Sequence, residues 1–494
     1  MKTKSLCPEC LRVIEAEVVK ENNKILIKKT CPEHGYFEDV YWSDAEFYEK
    51  FKKFAYDGKG VSNPNTEEKK GCPRDCGLCS NHKSGTLLAN IDLTNRCNQR
   101  CPICFANAAT AGYVYEPSFE QIKKMMEMLR NEKPVPCPAI QFSGGEPTIY
   151  PRLIEVIKLA KKLGFKQIQI ATNGLKASQD LEFCKRIKEA GLNTIYFQFD
   201  GIKEETYKKI RGFNAFPVKL KALENFRKAG LNSVVLVPTV VRGMNDDQIG
   251  DIMEVAKKNS DIVKGVNFQP VSFSGRIDKE QLRKERITIP DTLELLEEQT
   301  NRQILKNDFY PIPCVVPISR FVEAWKKEPQ VEFTVHPHCG AATYVFLEND
   351  KFVPITRFIN VEKLLNLIEE SIDDLKGPDF IKEVINLDKI EKTKVFAKII
   401  NNIPEVVKMN GYSKSKDIAK MIINIIKSGS VSALQEFHMN TLFVGMMHFQ
   451  DPYNFDLERV KRCGIHYATP DGRIIPFCSY NNIYRREIEK KFSK

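Results

Sequence analysis

Cys97-Asn-Gln-Arg-Cys101-Pro-Ile-Cys104-Phe105 stands just after the apolar run Leu87-Leu-Ala-Asn-Ile-Asp-Leu-Thr94, and Ser143-Gly-Gly-Glu146-Pro147 closes the next such run, which begins at Ala139. Both motifs sit where a short strand pattern gives way to a turn, and the chain beyond them keeps that rhythm. Strand-like runs recur at 167–174, 194–201, 233–241 and 265–273, separated by stretches with an apolar stripe of period 3.6. Ser118-Phe-Glu-Gln121, ahead of Lys-Lys-Met-Met-Glu-Met-Leu, has the form of a capping box and marks one helix start. Repeated strand–helix units predict a parallel sheet with right-handed crossovers. Six strands make a partial (β/α)6 barrel, whose chemistry belongs at the C-terminal strand ends.

Outward from this core, the chain has 494 residues, 42% hydrophobic and 28% charged, with a formal net charge of +11. That balance is globular, and the length allows about two to four domains. The longest apolar stretches, Val234–Val237 and the Ile422–Ile426 region, fall far short of the ~20 residues that span a bilayer. No apolar segment precedes Cys7, so no secretory signal is expected. Fifteen cysteines without an export signal point to metal ligation rather than a disulfide framework, because a cytosol keeps thiols reduced. The expected compartment is an anaerobic cytosol. The expected organisation is a rubredoxin- or zinc-ribbon-like metal module at 1–60, an auxiliary-cluster segment at 61–86, the barrel at 87–290, and a mainly helical domain at 291–494 carrying an auxiliary cluster.

With Cys97-x3-Cys101-x2-Cys104 after one strand and Gly-Gly-Glu-Pro after the next, residues 87–275 resemble the radical S-adenosylmethionine (SAM) superfamily. The resemblance implies a [4Fe–4S] cluster on Cys97, Cys101 and Cys104 as the catalytic centre. Three thiolates on four irons leave one iron open for the amino and carboxylate groups of SAM. It further implies that Phe105 flanks the adenine, that Gly144, Gly145 and Glu146 receive the SAM amino group, and that Thr172, Asn173 and Asp200 contact the methionine and ribose. Gln269, Thr239 and Asn245 lie on the same rim, and ordinary turn chemistry and capping is an equal reading for Thr172, Thr239 and Asn245.

The remaining cysteines fall into groups. Cys7, Cys10 and Cys31 with His34 form a mononuclear zinc or iron set joined by a hairpin. Cys72, Cys76 and Cys79 need a fourth partner for an auxiliary [4Fe–4S] cluster, and Cys137, which precedes the second strand, is the expected one. Cys314, Cys339, Cys463 and Cys478 suggest a second auxiliary cluster, three clusters in all, and Cys184 fits a helix core position. His336 and His338 flank Cys339 in turn sequence, while His448 and His466 carry no assignment.

The order of the Cys7–His34 unit, the Cys72–Cys79 unit and the barrel also resembles one archaeal-type group. It contains enzymes once described as pterin methylases and the archaeal tetraether lipid synthases. Ile, Leu, Phe and Met dense in the C-terminal region (Ile418, Met421, Ile422, Ile425, Ile426, then Leu442–Met447), with interleaved Lys394, Lys398, Lys408, Lys414, Lys416, Lys420 and Lys427, read either as ordinary amphipathic packing or as an apolar tunnel with a basic mouth. On the second reading the resemblance implies a tetraether lipid synthase, joining phytanyl chain ends of archaeal diether phospholipids through sp3 carbons, with peripheral membrane contact. A low-potential ferredoxin or flavodoxin would then supply electrons. The alternative is a radical SAM methyltransferase acting on a pterin. A zinc-ribbon nucleic-acid-binding protein would need basic residues massed around Cys7–His34, where Glu and Lys are mixed instead, so no nucleic acid is expected.

Overall fold

A computed structural model of the chain describes residues 1–278, 280, 283, 286–375, 387–408, 420 and 437–493. At the N-terminus β1 (Lys2–Leu6), β2 (Val13–Glu21), β3 (Lys24–Cys31) and β4 (Gly35–Trp42) form an antiparallel sheet in chain order. In β2 the alternation is direct: Ile14, Ala16 and Val18 are buried, Glu15 and Glu17 exposed. The β2–β3 hairpin turns through Asn22 and Asn23, both at positive φ (47° and 59°), which suits the right-handed twist of the paired strands.

The barrel strands are β5 (Leu88–Thr94), β6 (Ala139–Gly144), β7 (Gln167–Thr172), β8 (Thr194–Gln198), β9 (Val234–Val237), the two-residue β10 (Thr239–Val240) and β11 (Val263–Pro270). Six of them, β5-β6-β7-β8-β9-β11, are laid side by side and all parallel. The first crossover helix, Phe119–Arg130, starts in the capping box of Ser118 with Gln121 and buries Ile122, Met125, Met126 and Leu129 against the sheet.

Residues beyond 290 supply helices, Ile289–Gln299, Val316–Lys326, Val361–Leu375 and Leu387–Val406, and also strands that close both edges of the barrel sheet. These are β12 (Tyr310–Pro311), β13 (Gly340–Glu348), β14 (Lys351–Pro354), β15 (Leu442–Met447), β16 (Ile465–Ala468) and β17 (Ile474–Pro476). β15 pairs in parallel with β11 and β16 in parallel with β5, while β13 and β17 add antiparallel margins. Backbone groups that an open barrel would leave unpaired are thereby satisfied.

The stretch Leu442–Met447 is therefore a sheet strand, with Leu442, Val444 and Met446 in the core, and not part of a helical tunnel. Lys398 pairs with Asp374 at 2.9 Å and Lys408 donates to the Thr356 carbonyl at 2.9 Å. Ile418, Met421, Ile422, Ile425, Ile426, Lys414, Lys416 and Lys427 lie outside the described residues. No helix among the described residues is long and apolar enough to cross a membrane.

The N-terminal sheet is fastened to the loop that follows β15. Lys29 Nζ donates to Ser5 Oγ and to the carbonyls of Pro452 and Tyr453, at 2.9, 2.6 and 2.8 Å. Thr3 and Tyr41 hydroxyls both donate to Asp456, at 2.6 and 2.7 Å. Buried Arg286 bridges Asp39 of β4 and Asp451, with Nε–Oδ1 at 2.8 Å and Nη1–Oδ2 at 2.9 Å. Asp451 in turn accepts from the Phe273 amide, which ties this junction to the barrel.

Candidate active site

At the C-terminal ends of the barrel strands lies a cavity of about 340 Å³ whose wall includes Cys97, Cys101 and Cys104. Two backbone bonds hold the loop that carries them: Cys104 N to Arg276 O and Arg276 N to Cys104 O, each 2.9 Å. Arg276 Nε adds a bond to Cys101 O at 2.7 Å. Gly275, at φ +69°, permits this approach, because a Cβ there would stand 2.3 Å from Phe105 O and 2.5 Å from Cys104 O. Burial pushes the Cys97 thiol up to about 12 and raises that of Cys101, where Arg211 works in the opposite direction. Three thiols converging on one cavity wall, with Gln99 N donating to Cys97 Sγ at 3.4 Å, are a donor set that fits a thiolate-bound iron–sulfur cluster.

Gly144 and Gly145 serve the same loop from the other side. Their Cβ atoms would fall 2.2 Å from Thr94 O and 2.1 Å from Arg96 O, so only glycine lets β6 end against the segment leading into Cys97. Both glycines line the cavity, as do Phe105, Glu146, Thr172, Asn173 and Gln269. The Glu146 carboxylate is buried and its pKa raised by that burial, and it accepts from Thr148 Oγ1, Thr172 Oγ1 and Asn173 N at 2.6, 2.7 and 2.8 Å. It thus ties together the ends of β6 and β7. Asn173 Nδ2 reaches Asn98 Oδ1 at 2.7 Å, joining that rim to the cysteine loop.

Asp200 departs from the expected ribose contact. It is fully buried and absent from the cavity wall, and Arg211 covers it with bonds of 2.6 and 2.8 Å. The reason is electrostatic: a buried carboxylate keeps its charge only beside a matched cation. Arg211, unassigned from sequence, is itself largely buried; it lines the cavity in place of Asp200 and donates to Ile103 O at 3.1 Å. Burial opposes its charge, but the adjacent Asp200 raises its pKa. Beneath this pair, burial brings the ammonium of Lys219 down to about 7; its Nζ donates to Asn173 O at 2.7 Å and Gln198 Oε1 at 2.6 Å. Asn245 is used entirely within the fold, bonding Asp200 O, Thr239 O and Val241 N at 2.8 Å each.

The other cysteines separate by geometry. Ligand atoms of Cys7, Cys10, Cys31 and His34 all lie within 4.8 Å of one another, the spacing of a single tetrahedral ion. Cys72, Cys76 and Cys79 gather round a small void bordered by Val460, Lys461 and Pro476. Cys137 is not with them: it is fully buried in the barrel core and its Sγ donates to Ala139 O at 3.2 Å. Position before the second strand put it at the right end of the barrel, but its side chain turns inward among apolar neighbours.

Cys339, Cys463 and Cys478 approach closely enough that burial, and then each other's charge, raises the Cys463 thiol. Arg459 Nε donates to Cys339 Sγ at 3.3 Å and Gln450 N to Cys478 Sγ at 3.3 Å. Cys478 also lines the cavity that holds Cys97, Cys101 and Cys104. Cys314 lies on the short turn Ile312–Val315, which touches the turn carrying Cys339, and burial alone raises its thiol to about 12. Cys184 packs in the core, with its Sγ 3.7 Å from Ala177 O. His336 and His338 are buried side by side, and His338 stacks on Tyr48 with centroids 3.8 Å apart.

The radical SAM superfamily pattern covers residues 91–256, and that of the HMPTM N-terminal zinc ribbon domain covers residues 1–43. A Methanocaldococcus jannaschii protein named 7,8-dihydro-6-hydroxymethylpterin dimethyltransferase is 53% identical over 505 aligned positions, 100% of this chain and 95% of its own. GTP 3',8-cyclase of Clostridium acetobutylicum is 25% identical over 49% of this chain and 77% of its own. Among solved structures, Streptococcus suis SuiB bound to S-adenosylmethionine aligns with TM-score 0.36 and 17% identity, over 45% of this chain and 48% of that one. The end-to-end relative is a pterin enzyme by name, which overturns the expectation of phytanyl-chain coupling and tetraether lipid synthesis. The chain belongs to the radical SAM superfamily, in the family of the Methanocaldococcus jannaschii pterin dimethyltransferase, with the zinc ribbon of that family at its N-terminus.

Proposed function

We propose that this chain is a radical SAM methyltransferase acting on a reduced pterin of the 7,8-dihydro-6-hydroxymethylpterin type. The observation that carries the reading is the 53% identity running through the whole chain, barrel, ribbon and C-terminal region alike. The cavity supports it. Deeper along the strands than the cysteine loop, Asn90, Gln141, Tyr196, Asn267 and Gln269 line the same cavity. They are held in order by one another: Gln141 Nε2 donates to Asn90 Oδ1 at 2.7 Å, Gln169 Nε2 to Gln141 Oε1 at 2.7 Å, and Gln269 Nε2 to Tyr196 OH at 2.9 Å. A belt of carboxamides offers both donors and acceptors to a flat heterocycle whose edge alternates amide-like N–H and C=O groups, and rejects an analogue that would leave them unpaired.

In this reading Cys97, Cys101 and Cys104 hold the cluster, and Phe105, Gly144, Gly145, Glu146, Thr172, Asn173 and Gln269 surround SAM. Bound there, the cluster would pass on one electron from a low-potential donor and SAM would offer the C–S bond that it breaks. The chain's own part is orientation and enclosure. Arg276 pins the cysteine loop, Glu146 fixes the β6–β7 rim, and the Asp200–Arg211 pair brings a held positive charge to the side of Cys101. Cys72, Cys76 and Cys79, and separately Cys339, Cys463 and Cys478, are the proposed seats of two auxiliary clusters, and Cys7, Cys10, Cys31 and His34 that of one zinc or iron ion. A low-potential electron donor is the proposed partner. The SAM cleaved for the radical leaves as methionine with its methyl still on sulfur, so the transferred methyl must come from a second SAM or a folate-type one-carbon donor. The test is anaerobic incubation of the reconstituted protein with reductant, methyl-labelled SAM, a reduced folate-type donor and the reduced pterin, read by mass. A methylated pterin supports the proposal, and an unchanged pterin refutes it.

A further inference from the structure

The trio Cys72, Cys76 and Cys79 lacks a fourth thiol, since Cys137 is turned into the barrel core and Cys463 is grouped with Cys339 and Cys478. A histidine lines the same void as the trio. His82 follows Cys79 at the x2 spacing common in ligand turns, and its amide donates to Cys79 O at 3.0 Å, closing the turn that brings the ring back. It lines the same small void as the three cysteines and is only 7% exposed.

The surroundings of the ring settle which nitrogen is free to bind. His82 Nε2 lies 2.7 Å from Cys463 O and 3.1 Å from His466 Nε2. A carbonyl oxygen at 2.7 Å requires a hydrogen on Nε2, because two lone pairs at that distance repel. A neutral imidazole with its hydrogen on Nε2 carries its lone pair on Nδ1, and among the described residues Nδ1 has no hydrogen-bond partner. A backbone carbonyl holding the far N–H, with the near nitrogen left bare, is how proteins present an imidazole to a metal. His466, buried behind, accepts the second branch of the same N–H and braces the ring.

Spacing distinguishes a cluster from a single ion. Among the described residues only Cys7, Cys10, Cys31 and His34 bring ligand atoms within 4.8 Å of one another. Cys72 and Cys76 are side-chain hydrogen-bond neighbours, but with Cys79 and His82 they do not form such a single-ion group, and a cluster carries its ligands on separate irons. We propose that His82 Nδ1 is the fourth protein ligand of an iron–sulfur cluster held by Cys72, Cys76 and Cys79. The inference rests on the auxiliary-cluster reading of that trio and is independent of the substrate. A neutral imidazole in place of a thiolate leaves the cluster less negative and easier to reduce, which suits a site that receives electrons.

The test uses the full chain, reconstituted anaerobically without SAM, whose amino nitrogen would bind the radical cluster. A His34→Cys background removes the ribbon histidine. Pulsed EPR of the reduced protein, grown with ¹⁵N-histidine and with natural histidine, reads nitrogen bound to iron. The expected result is one cluster with a strong histidine coupling that changes with the isotope. That coupling should vanish in His82→Cys while the iron content stays unchanged, and vanish in Cys76→Ala together with about four irons per chain. Absence of histidine coupling in the unsubstituted His82 protein, a reading that needs no further variant to fold, overturns the assignment, and so does persistence of the coupling in His82→Cys. Unchanged iron in Cys76→Ala removes the cluster reading beneath it.

Discussion

Gly275→Ala should detach the cysteine loop from the barrel, and the size of the effect follows from the geometry. Position 275 sits at φ +69°, where any residue with a Cβ costs about 1–2 kcal/mol. The new Cβ would lie 2.3 and 2.5 Å from the carbonyl oxygens of Phe105 and Cys104, which are backbone atoms and cannot rotate away. Relief requires separating the Cys104–Arg276 pair, losing two backbone hydrogen bonds worth about 1 kcal/mol each. The sum is about 3–4 kcal/mol, more than a hundredfold in the equilibrium between docked and undocked loop. Gly472 provides the control: it has φ +84° but nothing within 4 Å of its Cβ, so Gly472→Ala bears the backbone strain alone. Urea unfolding and the iron and sulfide content of both variants, after identical anaerobic reconstitution, make the comparison. Gly275→Ala should lose the iron of one cluster, and Gly472→Ala should keep it. Equal stability loss and equal iron in the two variants would refute the argument that close approach at Phe105 and Cys104 is what the glycine provides.

Arg286→Met leaves Asp39 and Asp451 buried without a cation and should cost about 3–5 kcal/mol, seen as an earlier urea midpoint with the N-terminal sheet released first. Cys137→Ala should leave iron content unchanged, because that thiol bonds only within the core, so a loss of iron would return it to a cluster. Lys219 has its pKa lowered by burial from 10.5 to about 7, so above about pH 7 the unfolded chain holds a proton that the folded one has released. Its contribution to stability should therefore rise with pH from about 7 towards 10.5, by at most about 1.4 kcal/mol per unit, and that component of the slope should be absent in Lys219→Met. Asp200→Asn should unseat Arg211 and lower SAM-cleavage activity while overall stability, read by urea, falls by about 3–5 kcal/mol for the buried guanidinium left unmatched.

How far the sequence could be read depended on whether the signal was local. The six parallel strands, the capping box at Ser118 and the cysteine loop are written in contiguous residues, and strand alternation with helical stripes suffices to find them. The strands Leu442–Met447 and Ile465–Ala468 are short and pair with β11 and β5 across about two hundred or more residues of chain. Nothing near them announces those partners. The inward turn of Cys137 depends on which face of its segment meets the core, and position along the chain does not determine that. Asp200 ends a strand at a plausible contact point, but Arg211, one helix later, covers it, and pairing of that kind is visible only once the helix is folded back. His82 did carry a local signal, the Cys79-x2-His82 spacing, which counting cysteines alone passes over.

Pterin methylation, as proposed, requires that SAM cleavage at the cavity walled by Cys97, Cys101 and Cys104 be coupled to the pterin. The most direct measurement is the rate of 5′-deoxyadenosine formation by the reduced, reconstituted protein with and without the dihydropterin, with Cys101→Ala beside it. The expected result is faster cleavage with the pterin present, deoxyadenosine accumulating in step with methylated pterin, and neither product from Cys101→Ala. Cleavage that ignores the pterin and leaves its mass unchanged would contradict it.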